Sequence, residues 1–100
     1  MAKKPTLKDI YDSRERLTPY INRTPLYHYP SLDTLLEAEV YVKHENHQRL
    51  GSFKIRGAIN VISHLRDEEK RRGVIVSSTG NFGQGIAFAA RAFGIQAVII

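Results

Sequence analysis

The chain has 100 residues, of which 25% are charged and 42% hydrophobic, and its formal net charge is +5. These proportions are ordinary for a globular domain, and 100 residues make one small domain or part of a larger one. The sequence contains no cysteine, which excludes disulfides and thiolate chemistry. No apolar run has the length of a membrane span or a signal peptide, so we expect a cytoplasmic protein with no membrane partner.

The positive charge follows helix patterns. Arg71 and Arg72 precede Gly73, an arrangement typical of a helix C-terminus. Arg14 and Arg16 alternate with acidic residues, as on a solvated helix face. No aromatic and basic recognition motif accompanies these charges, so we expect no nucleic-acid partner.

The first forty residues predict two helical segments separated by irregular chain. Apolar side chains at helical spacing predict a helix over residues 6–17, which Pro19 ends. Residues 23–26 are predicted to be extended or turned, because a proline disfavours helix at the residue before it. Residues 27–30 are predicted to be irregular, and residues 31–36 to form one helical turn.

From residue 40 onward the pattern alternates between strands and helices. The predicted strands cover residues 40–43, 74–76 and 96–100, and the predicted amphipathic helices cover residues 52–65 and 82–93. This β-α-β-α-β order predicts an α/β fold whose three strands form one parallel sheet with right-handed crossovers.

The chain ends on an apolar strand, which is unusual for a complete α/β domain. We therefore interpret it as the N-terminal portion of a larger enzyme, with at least one apolar face of its last strand uncovered. Residues 1–39 are expected to be an N-terminal segment that packs on a large domain outside the chain. Residues 40–100 are expected to be the β-α-β-α-β part of a small cofactor domain.

Two polar loops follow predicted strands and end at helix N-termini. Open parallel sheets bind ligands beyond the carboxyl ends of their strands, where residues 44–54 and 77–81 lie. Free N–H groups at a helix N-terminus attract a carboxylate or phosphate. Ser52 is predicted to be the N-cap of the first helix. The alternative for residues 77–81 is a plain turn whose serine and asparagine only cap the helix.

Lys54 stands at the start of a predicted helix, where the macrodipole disfavours a positive charge. That position favours the neutral amine, the form that makes a Schiff base with a carbonyl compound. The alternative is a surface lysine in a first helical turn. His44 and His47 lack the further ligands of a metal site, so we expect no metal.

Three motifs occur in order: Arg23-Thr24-Pro25-Leu26, residues 51–58, and Ser78-Thr79-Gly80-Asn81. Together they resemble the fold-type II enzymes that depend on pyridoxal 5′-phosphate, with the greatest similarity to the threonine dehydratase and serine racemase branch. The resemblance implies the parallel-sheet, three-layer α/β fold of the tryptophan synthase β-subunit type, of which this chain would be the N-terminal part. It also implies a pyridoxal 5′-phosphate cofactor and a homodimer or tetramer.

The resemblance assigns roles to residues of both loops. Lys54 would form the internal aldimine and later move protons at the substrate Cα. Phe53 would pack beside the pyridine ring, and Asn81 would hydrogen-bond the cofactor 3′-oxygen. The substrate carboxylate would be bound by side chains and backbone N–H groups of Ser78, Thr79, Gly80, Asn81 and Phe82.

Two positions depart from the family pattern. Phe82 stands where many dehydratases and racemases have histidine, so the carboxylate site would have a different shape. Thr79 stands where racemases place a serine hydroxyl on the opposite face of the cofactor. The Thr79 hydroxyl is the second candidate catalytic group, after the Lys54 amine. The resemblance supports two-base racemisation less well with threonine at this position than it would with serine.

The resemblance implies a lyase that eliminates water from serine, threonine or a related β-hydroxy amino acid, giving a 2-oxo acid and ammonia. Alternatives of the same superfamily are an amino-acid racemase, a threonine synthase and a β-replacement enzyme, the last disfavoured by residues 55–58. A non-catalytic fragment or interaction module is the alternative of another class. The family's phosphate-binding glycine loop lies beyond residue 100, so we expect the 100 residues alone to be inactive.

Overall fold

The computed structural model describes residues 3–100. Its helices are α1 (Leu7–Leu17), α2 (Pro30–Leu36), α3 (Lys54–Ser63), α4 (Asp67–Arg72) and α5 (Asn81–Ala92). Its strands are β1 (Leu26–His28), β2 (Tyr41–Lys43), β3 (Val74–Val76) and β4 (Ala97–Ile99), and a 3₁₀ turn covers Glu45–His47. Met1 and Ala2, which belong to the predicted N-terminal segment, lie outside the described residues.

The strands form two separate pairs. β3 and β4 are parallel, with Val74 beside Ala97, and α5 lies between them in the chain. β1 and β2 are antiparallel, with Leu26 opposite Lys43. The parallel pair confirms the α/β character that the sequence predicts for the second half of the chain.

Two predictions about the strands are wrong. Residues 40–43 do not join the parallel sheet, and residues 27–30 are not wholly irregular, because β1 and β2 form their own ribbon. Strands covered by helices on both faces are continuously apolar. β2 instead exposes Tyr41 and Lys43 and half-buries only Val42, a pattern that suits an exposed antiparallel ribbon.

The core lies between α3 and α5. Both amphipathic helices that the sequence predicts are present, and α3 is shorter than its predicted bounds of residues 52–65. Ile55, Ile59 and Ile62 are fully buried on one face of α3, as their spacing predicts. The spacing also predicts Phe82 on the buried face of α5, but its side chain is exposed, because it lies in the first turn of that helix.

Two close contacts set the distance between these helices. A Cβ added at Gly85 would lie 3.0 Å from the Ala58 Cβ and 3.2 Å from the carbonyl oxygen of Lys54. A side chain at this position would force its neighbours to shift. The start of α3 therefore lies against the second turn of α5.

The helix predicted over residues 6–17 is confirmed as α1. Thr6 begins it with a capping box, in which its hydroxyl and backbone N–H pair with Asp9. Leu17 is the buried residue of α1, whereas Leu7 and Ile10 are exposed. No helix within residues 3–100 has the length and hydropathy to cross a membrane.

Candidate functional site

Lys54 is the first residue of α3. Phe53, not Ser52, precedes the helix, so the predicted N-cap is wrong by one residue. The Ser52 hydroxyl nevertheless accepts the backbone N–H of Lys54 at 3.2 Å, which satisfies one donor of the first turn. The Lys54 amine lies 5.3 Å from the centre of the Phe53 ring, and both side chains are exposed. The structure thus presents an accessible amine beside an aromatic face.

The second loop, residues 77–80, joins β3 to α5. Its position is fixed by Ser78, whose N–H donates to the carbonyl of Ile100 at 2.9 Å. The Ser78 hydroxyl accepts the N–H groups of Gly83 at 3.0 Å and of Gly80 at 3.4 Å. Ser78 therefore makes the capping hydrogen bonds in this loop, and Asn81 does not.

Asn81 begins α5, and within residues 3–100 its side-chain amide makes no hydrogen bond. The backbone N–H groups of Asn81 and Phe82 also have no acceptor there, because the first turn of a helix offers none. Three polar groups are thus available to an anion or a polar ligand at this helix start.

A shallow hollow of about 260 Å³ lies on one side of this loop. Its lining residues are Ser78, Thr79, Gly80, Gly83, Gln84, Ala87 and Ile99. A Cβ on Gly83 would lie 3.0 Å from Ile99 Cγ2 and 3.1 Å from the Ser78 carbonyl oxygen, so glycine keeps the loop close to α5. Neither Asn81 nor Lys54 lines this hollow.

The structure brings the two sequence motifs to neighbouring helix starts. The Lys54 carbonyl lies against Gly85, and Gly85 is four residues, or about 6 Å of helix, from Asn81. Of the predicted site residues, Phe53 and Lys54 stand at the α3 start. The remaining five, Ser78, Thr79, Gly80, Asn81 and Phe82, stand at the α5 start.

A larger cavity of about 560 Å³ is lined in part by Phe53. Its lining comprises Arg14, Thr18, Ile21, Asn22, Arg23, Lys43, Glu45, Phe53 and Arg56. At its wall, Arg56 donates to the Glu45 carboxylate twice, from Nε at 2.7 Å and from Nη2 at 2.8 Å. The Thr24 hydroxyl donates to the same carboxylate at 2.6 Å.

This ionic cluster was missed by the sequence analysis. The Arg56 guanidinium, together with the Thr24 hydroxyl, lowers the pKa of Glu45 to about 2. Gln48 is buried beside it and pairs with the backbone of Asn22, donating to its carbonyl at 2.9 Å and accepting its N–H at 3.0 Å. The one signal in the sequence is the run of polar residues before α3, which is equally typical of an exposed loop.

His44 hydrogen-bonds the hydroxyl of Tyr29 through Nε2 at 2.7 Å. Its ring centre lies 5.5 Å from that of His47. Within residues 3–100 there is no group of three or more histidine, aspartate or glutamate side chains placed to hold a metal ion.

Comparison with known proteins places the chain among relatives of one kind. A family profile described as pyridoxal-phosphate dependent enzyme matches residues 17–100. The chain is 47% identical over 95 residues to the L-threonine ammonia-lyase of Thermotoga maritima. It is 43% identical over 96 residues to the L-threo-3-hydroxyaspartate ammonia-lyase of Saccharomyces cerevisiae. These alignments cover 95% and 96% of this chain but 24% and 29% of the relatives, so the chain spans about a quarter of their length.

Solved structures give the same result for the fold. The processed form of threonine deaminase isoform 2 from Solanum lycopersicum superposes with a TM-score of 0.74 at 31% identity, covering 99% of this chain and 29% of the other. The serine racemase of Dictyostelium discoideum superposes with a TM-score of 0.85 at 40% identity, covering 94% and 31%. The fold is therefore that of the N-terminal α/β part of these enzymes.

Proposed function

The chain belongs to the family of pyridoxal-phosphate dependent enzymes, and from that premise we propose that it forms part of a lyase acting on a small β-hydroxy amino acid. Serine, threonine and 3-hydroxy amino acids related to them are the substrates. The reaction eliminates the β-hydroxyl group and the Cα proton as water to give an enamine, which tautomerises to an imine. One water then hydrolyses the imine to a 2-oxo acid and ammonia, so no water is lost overall. The similarity to an L-threonine ammonia-lyase and an L-threo-3-hydroxyaspartate ammonia-lyase supports this class of substrate.

The residues at the two helix starts fit the cofactor. Lys54 offers an accessible amine to its aldehyde, and the exposed Phe53 ring offers a face beside its pyridine ring. Asn81 offers a side-chain amide with no other partner within residues 3–100, suited to the 3′-oxygen. When bound, pyridoxal phosphate supplies an electron sink for the bonds at the substrate Cα.

Residues of this chain would transfer the Cα proton and bind the substrate carboxylate. Lys54 removes the Cα proton, which is the proton transfer that dehydration needs. The substrate carboxylate is bound at the start of α5, where the N–H groups of Asn81 and Phe82 are free and the Ser78 hydroxyl fixes the loop. The observation that carries this proposal is that the Lys54 carbonyl lies against Gly85, four residues beyond the start of α5.

Amino-acid racemisation is the second candidate. It is supported by structural similarity to a serine racemase and by the exposed Thr79, whose hydroxyl would be a second group able to move a proton. Racemisation needs two such groups, whereas dehydration needs one. Threonine synthesis and a non-catalytic role have no observation of their own in this structure to favour them.

The proposal is tested in a hybrid enzyme, in which this chain replaces the matching residues of the Thermotoga maritima L-threonine ammonia-lyase. We expect L-threonine and L-serine to yield 2-oxo acids, and Lys54→Ala to lower kcat at least about 100-fold. Lys70→Ala, on α4, is the matched control and should leave kcat unchanged. A hybrid that interconverts D- and L-serine faster than it releases 2-oxo acid would instead support the racemase.

The assembly and location remain proposals of the same kind. We propose a homodimer or tetramer, which the resemblance to the fold-type II enzymes supports. We propose a cytoplasmic location on the basis of the sequence pattern alone. Sedimentation of the hybrid enzyme and fractionation of the source cells test these two proposals.

A further inference from the structure

The ionic cluster at the wall of the larger cavity forms a clamp around the lysine motif. We use the name polar clamp for Thr24, Glu45, Gln48 and Arg56. Glu45 lies in the 3₁₀ turn after β2, and Arg56 is the third residue of α3. Their bidentate pair therefore closes a loop of the chain, and this loop contains Ser52, Phe53 and Lys54.

Hydrogen bonds connect the polar clamp to residues 22–24, the segment before β1. Thr24 and Gln48 are among the most buried polar residues of the chain, at 4% and 5% exposure. Thr24 donates to the Glu45 carboxylate, and its carbonyl accepts the Lys43 ammonium at 2.5 Å. Gln48 is bound to the backbone of Asn22 at both ends of its amide. The carboxylate that pairs with Arg56 is thus hydrogen-bonded to Thr24, in the segment before β1, as well as to α3.

Apart from its packing against α5 through the buried Ile55, the first turn of α3 is held by few polar contacts. Phe53 supplies no side-chain cap, and the first turn contains no acidic residue. The turn before it includes Gly51 at φ +69°, a conformation that side chains disfavour. The Ser52 hydroxyl makes a single bond at 3.2 Å. A guanidinium held by two parallel bonds fixes direction as well as distance, which a lysine ammonium cannot do.

We propose that the Glu45–Arg56 pair is a positioning device, which fixes the rotation of the first turn of α3 and thereby the direction in which Lys54 projects. The inference rests on the proposed role of Lys54. Without the pair, Lys54 keeps its chemistry but samples several directions, and its reaction with a bound carbonyl becomes less frequent. Small displacements of a reacting group can lower rates about 100-fold.

The test compares three variants of the hybrid enzyme. Glu45→Gln removes the charge of the clamp, and Arg56→Lys keeps the charge but removes the bidentate geometry. Glu68→Gln is the matched control, because it removes an exposed ion pair, with Arg72 on α4, by the same substitution. Each protein is treated with pyridoxal phosphate and then borohydride, and peptide mapping gives the fraction of label on Lys54 relative to the other lysines. Circular dichroism shows which variants are folded.

We expect Glu45→Gln and Arg56→Lys to lower the fraction of label on Lys54 and kcat at least about tenfold, with the KM for L-threonine changed less than about threefold. Glu68→Gln should change none of these. Folded variants with wild-type labelling and kcat would overturn the inference and leave the pair a purely structural bond. If Glu45→Gln does not fold, the labelling and kcat of Arg56→Lys alone test the inference.

The proposed function fails in a different way. A wild-type hybrid that labels on Lys54 but releases no 2-oxo acid would contradict the proposed lyase activity. In that case the labelling comparison still decides whether the clamp directs Lys54.

Discussion

The Ser78 hydroxyl stabilises the loop before α5, because it accepts hydrogen bonds from the backbone N–H groups of Gly80 and Gly83. The loop sequence contains two serines and an asparagine as capping candidates, and residue types alone could not separate them, because serine and asparagine are both good caps. In the structure Ser78 makes the capping bonds, and Asn81 keeps a free amide within residues 3–100.

The Glu45–Arg56 ion pair could not be predicted from the sequence either. It joins residues eleven apart across a loop, and no local sequence pattern encodes such a contact.

Replacing Ser78 by alanine should therefore destabilise the fold. We expect Ser78→Ala to lower the free energy of unfolding by about 1 kcal/mol, since a capping oxygen is lost. Ser77→Ala is the matched control, because the Ser77 side chain is exposed and makes no hydrogen bond within residues 3–100, and it should stay within about 0.5 kcal/mol. Urea unfolding followed by circular dichroism measures both. Equal effects of the two substitutions would contradict the capping role.

Glu45 should make stability depend on pH in the acid range. Its pKa in the folded state is about 2, below the ordinary 4.5, so the ion pair stabilises the fold above pH 4.5. That contribution, up to about 3 kcal/mol, is lost as the pH falls from 4.5 to 2, because the unfolded chain takes up the proton first. Urea titrations at several pH values should show this loss in the wild type and not in Glu45→Gln. Parallel curves for the two proteins would show that Glu45 is not the group responsible.

At the scale of elements, the helices were the most predictable part. A helix of ten residues shows its buried face as a repeat of apolar side chains, and α3 and α5 both do so. Strands of three residues have too few positions to show a period. Their pairing is also set by residues far away in the chain, which explains why the sequence pattern places β2 in the wrong sheet.

Gly85 and Gly57 offer a direct test of the α3–α5 contact. Gly57→Ala meets nothing within 4 Å, so it should stabilise α3 by about 0.5–1 kcal/mol through helix propensity. Gly85→Ala places its methyl group 3.0 Å from Ala58 and should destabilise the fold by about 1–3 kcal/mol. Thermal unfolding compares the two. A stabilising Gly85→Ala would mean that the helices separate without cost.

At the scale of the molecule, the chain is extended. Its radius of gyration is 16.4 Å and its extents are 52 × 30 × 28 Å, whereas a compact domain of this length has a radius of about 13 Å. One face of the parallel sheet is uncovered, as the sequence predicts for its last strand. Ile75 is 72% and Ile100 69% exposed, and Val98 lies beside Ile75 on the same face. Family membership was predictable from three short motifs, but the shape of the molecule was not.

We expect the 100-residue chain to self-associate through this face, because large exposed apolar patches favour association. Sedimentation velocity should show a concentration-dependent increase in mass, and the double substitution Ile75→Thr and Val98→Thr should shift it towards monomer. Val61→Thr is the matched control, since Val61 is exposed alone on α3. A chain that stays monomeric at all concentrations would contradict this expectation.

Lys54, placed beside the α5 start, is the residue that we propose holds the cofactor, and the rest of the proposed chemistry depends on it. Peptide mapping of the hybrid enzyme tests this role most directly, after incubation with pyridoxal phosphate and reduction with borohydride. We predict one stoichiometric pyridoxyl group on the peptide that contains Lys54, and its loss in Lys54→Ala. A stoichiometric adduct on Lys43 or Lys70, with Lys54 unmodified, would contradict it.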